Sequence, residues 1–114
     1  MQWTEINDRI SGDVVIVDLA GHMTPCEDKP LLDKVKRVLD DRQSKILLNL
    51  AEVSYIDSAG LGEMASAYIT VTNMGGKMKL LHTQDRVNSM LHVTKLYTLL
   101  VTYTEESEAL ASFR

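Results

Sequence analysis

The sequence predicts an α/β fold whose small, mixed and mostly parallel sheet begins with an N-terminal hairpin, and three observations support this class. Residues 3–9 can form a short strand, residues 14–19 are rich in β-branched side chains, and a glycine-containing turn separates them, which is typical of a hairpin. Further along the chain, short apolar stretches alternate with helical stretches, as in parallel sheets. The stretch 46–50 is almost continuously apolar, which indicates a strand buried on both faces.

The first helix is predicted after the hairpin, and its start has two candidates. Thr24 opens a stretch with the form of a capping box and with proline at the first helical position. A start there would place Pro30 inside the helix, where proline removes a backbone donor, so a start at Asp28 is favoured. The apolar residues at helical spacing form one stripe and are Leu31, Leu32, Val35, Val38 and Leu39.

The remaining elements complete the order ββαβαβαβα. A second helix ends at the Gly75-Gly76 pair, a strand covers residues 77–81, a third helix covers 83–92, and a last strand covers 99–103. An acidic stretch from residue 105 opens a short C-terminal helix, because the helix dipole favours negative charge there. The residues predicted to face inward are Leu61, Met64, Ala65, Tyr68 and Thr72 in the second helix, Val87, Met90 and Leu91 in the third, and Ala109, Leu110 and Phe113 in the last.

Composition and charge narrow the class of protein. The chain has 114 residues, 45% apolar and 25% charged, which fits one globular domain over residues 1–114. Its single cysteine, Cys26, excludes an intramolecular disulfide and a cysteine-based zinc cluster. A net charge of -4 without a basic patch argues against binding nucleic acid. Membrane-spanning runs and a secretory signal pattern are lacking. We therefore expect a cytoplasmic protein without membrane insertion, metal or cofactor.

One stretch carries chemistry, and it lies between a predicted strand and a predicted helix: Asp57-Ser58-Ala59-Gly60-Leu61-Gly62. In the simplest interpretation it only starts the helix, with Asp57 or Ser58 accepting a hydrogen bond from an N–H of the first turn. Two glycines in the first turns of a helix, however, cost about 1 kcal/mol each relative to alanine. Close approach of a partner or ligand would compensate for that cost.

Ser58 supports two functional hypotheses. It stands on a strand-to-helix turn, as the nucleophile of a small serine hydrolase would, but Ile56 replaces the first glycine of G-x-S-x-G. The general base would have to be His22 or His82. Alternatively, Ser58 is a phosphorylation site, since a helix N-terminus stabilises a phosphate. A partner docked over that helix start would then be expelled, because burying unpaired charge costs several kcal/mol.

The chain resembles the STAS domain family and, within it, the bacterial anti-sigma factor antagonists. The resemblance covers residues 6–113, and its most specific part runs from the apolar stretch 46–50 through residues 53–62, which contain D-S-x-G-L-G. The Gly75-Gly76 turn and the stretch 108–110 also fit. This resemblance implies a small mixed sheet with helices packed mainly on one face.

The resemblance also implies partner switching, with the protein as the substrate of a kinase and not as an enzyme. The unphosphorylated form would bind an anti-sigma factor that is also a serine kinase, and so free a sigma factor. Phosphorylation of the matching serine, Ser58, would end that binding, and a phosphoserine phosphatase would restore it. The residues expected to contact the partner are Asp57, Ser58, Ala59, Gly60, Leu61, Gly62, Met23 and Thr24.

One position departs from the family pattern. The family usually has G-x-L-D after the second strand, whereas this chain has Gly21-His22-Met23-Thr24, so Thr24 stands at the aspartate position. Thr24 is either a loop or cap residue or a second phosphoacceptor, as in some stressosome-type relatives. The departure motivates an alternative hypothesis, a non-switching STAS scaffold such as a stressosome component or a transporter-associated subunit. The sequence leaves a homodimer open.

Overall fold

A computed structural model describes residues 3–23 and 30–114, including the side chains of residues 6–21 and 31–114. These residues form one five-stranded sheet and four α-helices. None of these helices is long and apolar enough to cross a membrane. The strands are β1 (Trp3–Ser11), β2 (Val14–Met23), β3 (Lys45–Ile56), β4 (Lys77–Leu81) and β5 (Thr102–Tyr103), and the helices are α1 (Pro30–Asp40), α2 (Ser58–Asn73), α3 (Asp85–Val93) and α4 (Glu106–Ala111).

The sheet confirms the predicted fold class. Its strand order is β1-β2-β3-β4-β5, with β1 and β2 antiparallel and all other neighbours parallel. The last pair between β3 and β4 is Asn49 with Leu81, whereas the pairing of β3 with β2 continues to Met23 with Ile56. The C-terminal part of β3 therefore extends beyond β4, and it leads directly into α2.

Two hydrophobic clusters hold the helices on the two faces of the sheet. The larger cluster packs α1, α2 and α3 against one face through fully buried side chains such as Val35, Leu48 and Met64. The smaller cluster packs α4 against the other face, where Phe113 lies near Ile16. The expectation that helices pack mainly on one face is confirmed, and α4 is the exception among the described helices.

The α2 helix ends at the predicted glycine pair, and each glycine has its own reason. Gly75 has a φ of +78°, a backbone conformation that residues with a Cβ rarely adopt. Gly76 lies against the connection between α1 and β3. A Cβ at this position would overlap the carbonyl oxygen of Ser44 and a methyl group of Val71. The two positions together turn the chain from α2 into β4.

Some predicted boundaries and faces differ from the structure. The last strand covers only Thr102–Tyr103, because a 3-10 turn at Leu96–Thr98 occupies the chain before it and Leu100 turns into the core at 1% exposure. In α2, Val71 is buried and Thr72 is exposed, with its hydroxyl donating to the carbonyl of residue 68. The described part of α1 begins at Pro30, and the two predicted starts, Thr24 and Asp28, lie outside the described residues.

Candidate functional site

The start of α2 is capped by Asp57, which decides between the two predicted cap residues. Asp57 has an extended backbone, and its Oδ1 accepts a hydrogen bond of 2.8 Å from the N–H of Gly60. Its carbonyl accepts the first helical hydrogen bond, 2.9 Å from the N–H of Leu61. Because Asp57 supplies both contacts, helix initiation does not use the hydroxyl of Ser58.

Ser58 is the first residue of α2 and is exposed. Its hydroxyl makes no hydrogen bond to any other residue that the structure describes. Within the same stretch, Ala59 and Gly62 are exposed, whereas Gly60 and Leu61 are buried beneath them. The predicted partner-binding stretch is therefore divided into an outer set, which a partner can reach, and an inner set, which holds the helix to the core.

A cleft of about 520 Å³ opens beside Ser58, between the end of β3, the start of α2 and the first turns of α3. A second hollow of about 410 Å³ lies next to it and shares Asp85 and Arg86 with it. We call the larger of the two the Ser58 cleft. The described residues that line it are Tyr55, Ile56, Asp57, Ser58, Asp85, Arg86, Ser89 and Met90.

The end of β2 lies beside the start of the predicted binding stretch. Met23 is the last residue of β2 and is paired with Ile56, one residue before Asp57. The sheet register thus brings the backbone of Met23 close to the start of α2. Thr24 and Cys26 lie outside the described residues, as does the side chain of Met23.

Sequence reasoning missed Glu63, which links two helices. Glu63 is only 8% exposed, and one of its carboxylate oxygens accepts hydrogen bonds from the N–H groups of Leu31 at 2.9 Å and Leu32 at 3.1 Å. These are the second and third residues of α1, whose N–H groups have no partner within their own helix. The carboxylate of α2 therefore caps α1, and its negative charge lies at the positive end of the α1 dipole.

The histidines considered for a hydrolase do not meet Ser58 in the described part of the chain. No histidine with a described side chain lines the Ser58 cleft. His82 is exposed after β4 with a φ of 57°, and the exposed His92 stacks on Tyr97 at 4.6 Å between ring centroids. The side chain of His22 lies outside the described residues. Among described residues, no group of three histidine, cysteine or acidic side chains could hold a metal ion.

The fold and the D-S-x-G-L-G stretch define the class of this protein. The model of the STAS domain matches residues 5–109, and the chain belongs to the STAS domain family. Among proteins of this kind, it is similar to the anti-sigma F factor antagonist of Paenibacillus polymyxa. The two are 29% identical over 102 residues, which cover 85% of this chain and 84% of that relative.

Solved structures share the fold. An anti-sigma factor antagonist from Mycobacterium paratuberculosis matches with a TM-score of 0.84 at 18% identity, covering 96% of this chain and 93% of that one. The Bacillus cell fate determinant SpoIIAA in its phosphorylated form matches with a TM-score of 0.72 at 18% identity, covering 96% of this chain and 100% of that one. SpoIIAA in its unphosphorylated form, an anti-sigma factor antagonist, matches with a TM-score of 0.78 at 18% identity, covering 95% of each chain.

Proposed function

We propose that this protein is an anti-sigma factor antagonist that works by partner switching. The unphosphorylated chain binds an anti-sigma factor with serine kinase activity, and this binding releases a sigma factor. Phosphorylation of Ser58 ends the binding, and a phosphoserine phosphatase restores it. The observation that carries the proposal is the exposed Ser58 at the first position of α2, in a helix start that Asp57 already caps.

The geometry suits both states of such a switch. In the transfer step, the Ser58 oxygen forms a bond to the γ-phosphorus of ATP while the bond from that phosphorus to ADP breaks. The hydroxyl proton passes to a base of the kinase, so this chain supplies only the acceptor. Because the α2 start does not depend on the Ser58 hydroxyl, the phosphate leaves the helix intact and changes the charge of the surface.

The relatives support the same function. The Paenibacillus polymyxa relative is named as an anti-sigma F factor antagonist, and SpoIIAA has been solved in unphosphorylated and phosphorylated forms. The hydrolase hypothesis has no comparable support, because no described histidine lines the Ser58 cleft. The scaffold hypothesis rests on Thr24 alone, and it becomes an outcome of the test.

We expect one phosphate on the wild-type chain after incubation with host extract and Mg-ATP, and none on Ser58→Ala. Intact-mass spectrometry of the two proteins side by side measures this directly. Phosphate on both proteins would move the modification to Thr24 or another residue. If neither protein gains phosphate while a control substrate in the same extract does, the scaffold hypothesis is favoured.

Gly62 provides an independent test of the docking surface. A Cβ at this position would meet no atom of the described residues within 4 Å, so their packing does not require glycine there. We expect Gly62→Ala to raise the free energy of unfolding by about 0.5–1 kcal/mol, as alanine does inside a helix. It should also weaken binding of the anti-sigma factor by roughly tenfold, because a methyl group inserted into a packed contact costs about 1–3 kcal/mol.

The two effects of Gly62→Ala are measured by urea denaturation and by titration calorimetry. Ser66→Ala is the matched control, since Ser66 is also exposed on α2 but lies a turn further from Ser58. This control should leave the affinity unchanged. A more stable Gly62→Ala protein with wild-type affinity would show that the partner does not approach Gly62.

A further inference from the structure

Arg86 lines the Ser58 cleft and has no assigned role. Ser58 is the first residue of α2 and Arg86 is the second residue of α3, so both side chains leave from first turns that border the same cleft. Both residues are exposed. A guanidinium group and the predicted phosphate acceptor therefore share one concave surface.

Within residues 3–23 and 30–114, no ion pair uses the charge of Arg86. Asp57 and Asp85 also line the cleft, yet Arg86 forms an ion pair with neither of them, nor with any other residue that the structure describes. Asp57 is already engaged, because its carboxylate accepts from the N–H of Gly60. By contrast, Arg9 forms ion pairs with Asp18 and Glu106, and these ion pairs connect three elements of the fold. The guanidinium group of Arg86, which no described residue pairs with, is therefore able to pair with an anionic group that is added at this cleft.

We propose that Arg86 receives the phosphate of phosphorylated Ser58 within the same molecule and holds it in the Ser58 cleft. The inference rests on the proposed phosphorylation of Ser58. A phosphoserine carries up to two negative charges and three acceptor oxygens, and the planar guanidinium group matches them with two parallel hydrogen bonds. The cleft has room for a phosphate group without displacement of the core.

Pairing of the Ser58 phosphate with Arg86 changes the surface of the phosphorylated protein. Once the phosphate and Arg86 are paired, the mouth of the cleft is occupied and the guanidinium group no longer faces solvent. A partner that docks over α2 and the cleft then meets both a new charge and a filled cleft. Phosphorylation thereby changes the surface of two helices, although only one residue is modified.

The test uses the full chain with phosphoserine incorporated at position 58 during synthesis, and it measures the second phosphate pKa by phosphorus NMR. That pKa is about 6 for an unperturbed phosphoserine. Asp57 and Asp85 raise it and Arg86 lowers it, while Tyr55 also lines the cleft. We expect R86Q to raise the phosphate pKa by about half a unit to one unit, a three- to tenfold change in proton affinity. R86K should raise the phosphate pKa less, because lysine keeps the positive charge but lacks the planar guanidinium group that forms two parallel hydrogen bonds.

The matched control is R42Q, which removes the same charge from an exposed arginine at the opposite end of β3. An equal phosphate pKa in wild type and R86Q overturns the proposal, and so does an equal rise in R86Q and R42Q. The Nε resonance of Arg86 provides a second measurement in the unmutated chain, and it should shift when residue 58 carries phosphate. Since the phosphate is built in, this result does not depend on a kinase. The proposed function is tested by the separate experiment with host extract, and it is contradicted if that extract does not phosphorylate Ser58.

Discussion

Ser58→Asp should bind the anti-sigma factor at least tenfold more weakly than Ser58→Ala. The aspartate places a second negative charge next to Asp57, on the surface that we propose for partner binding. Burying an unpaired charge costs several kcal/mol, and each 1.4 kcal/mol is a factor of ten in affinity. The partner is recovered from host extract with immobilised Ser58→Ala, and the two dissociation constants are then measured by calorimetry.

The loss of affinity should come without a loss of stability. An acidic residue in the first turn of a helix is favoured by the dipole, so Ser58→Asp is expected to unfold at or above the wild-type temperature. Ser107→Asp is the matched control, because it adds the same charge to an exposed serine in the first turn of α4, on the other face of the sheet. Equal affinity of Ser58→Asp and Ser58→Ala would refute the switch.

The fold class was predictable from the sequence because its determinants are local. The hairpin turn, the apolar stretch that became the centre of β3 and the glycine pair after α2 each depend on neighbours in the chain. The length of β3 was not predictable in the same way. Its C-terminal part stays extended because it pairs with β2, and that register involves residues more than thirty positions apart.

The candidate site likewise has features that follow from the local sequence and features that depend on contacts between distant residues. Sequence reasoning placed Ser58 at the start of α2, but it left the cap open between Asp57 and Ser58, and the structure assigns it to Asp57. The Ser58 cleft was not predictable from this stretch. It forms where α3 passes the end of β3, which brings Arg86 to the start of α2. Glu63 was missed because its partners, the first N–H groups of α1, lie on another helix.

Glu63→Ala should lower the free energy of unfolding by about 2–4 kcal/mol. Removing the carboxylate leaves two N–H groups without an acceptor, and a buried donor left unpaired costs about 1–3 kcal/mol. The N–H of Leu31 is buried and bears the full cost, whereas that of Leu32 is partly buried and water reaches it more readily. Urea denaturation with linear extrapolation measures the difference.

Two further variants separate the cap from the charge. Glu63→Gln keeps an acceptor oxygen and loses the charge, so it should cost only about 0.5–1 kcal/mol, the usual size of a helix-dipole contribution. Glu52→Ala removes an exposed glutamate from β3 and should stay within about 0.5 kcal/mol of wild type. Hydrogen exchange should locate the effect at the amides of Leu31 and Leu32. If Glu63→Ala were as stable as Glu52→Ala, the α1 start would be held by other contacts, and Glu63 would not be the link between α1 and the helix that carries Ser58.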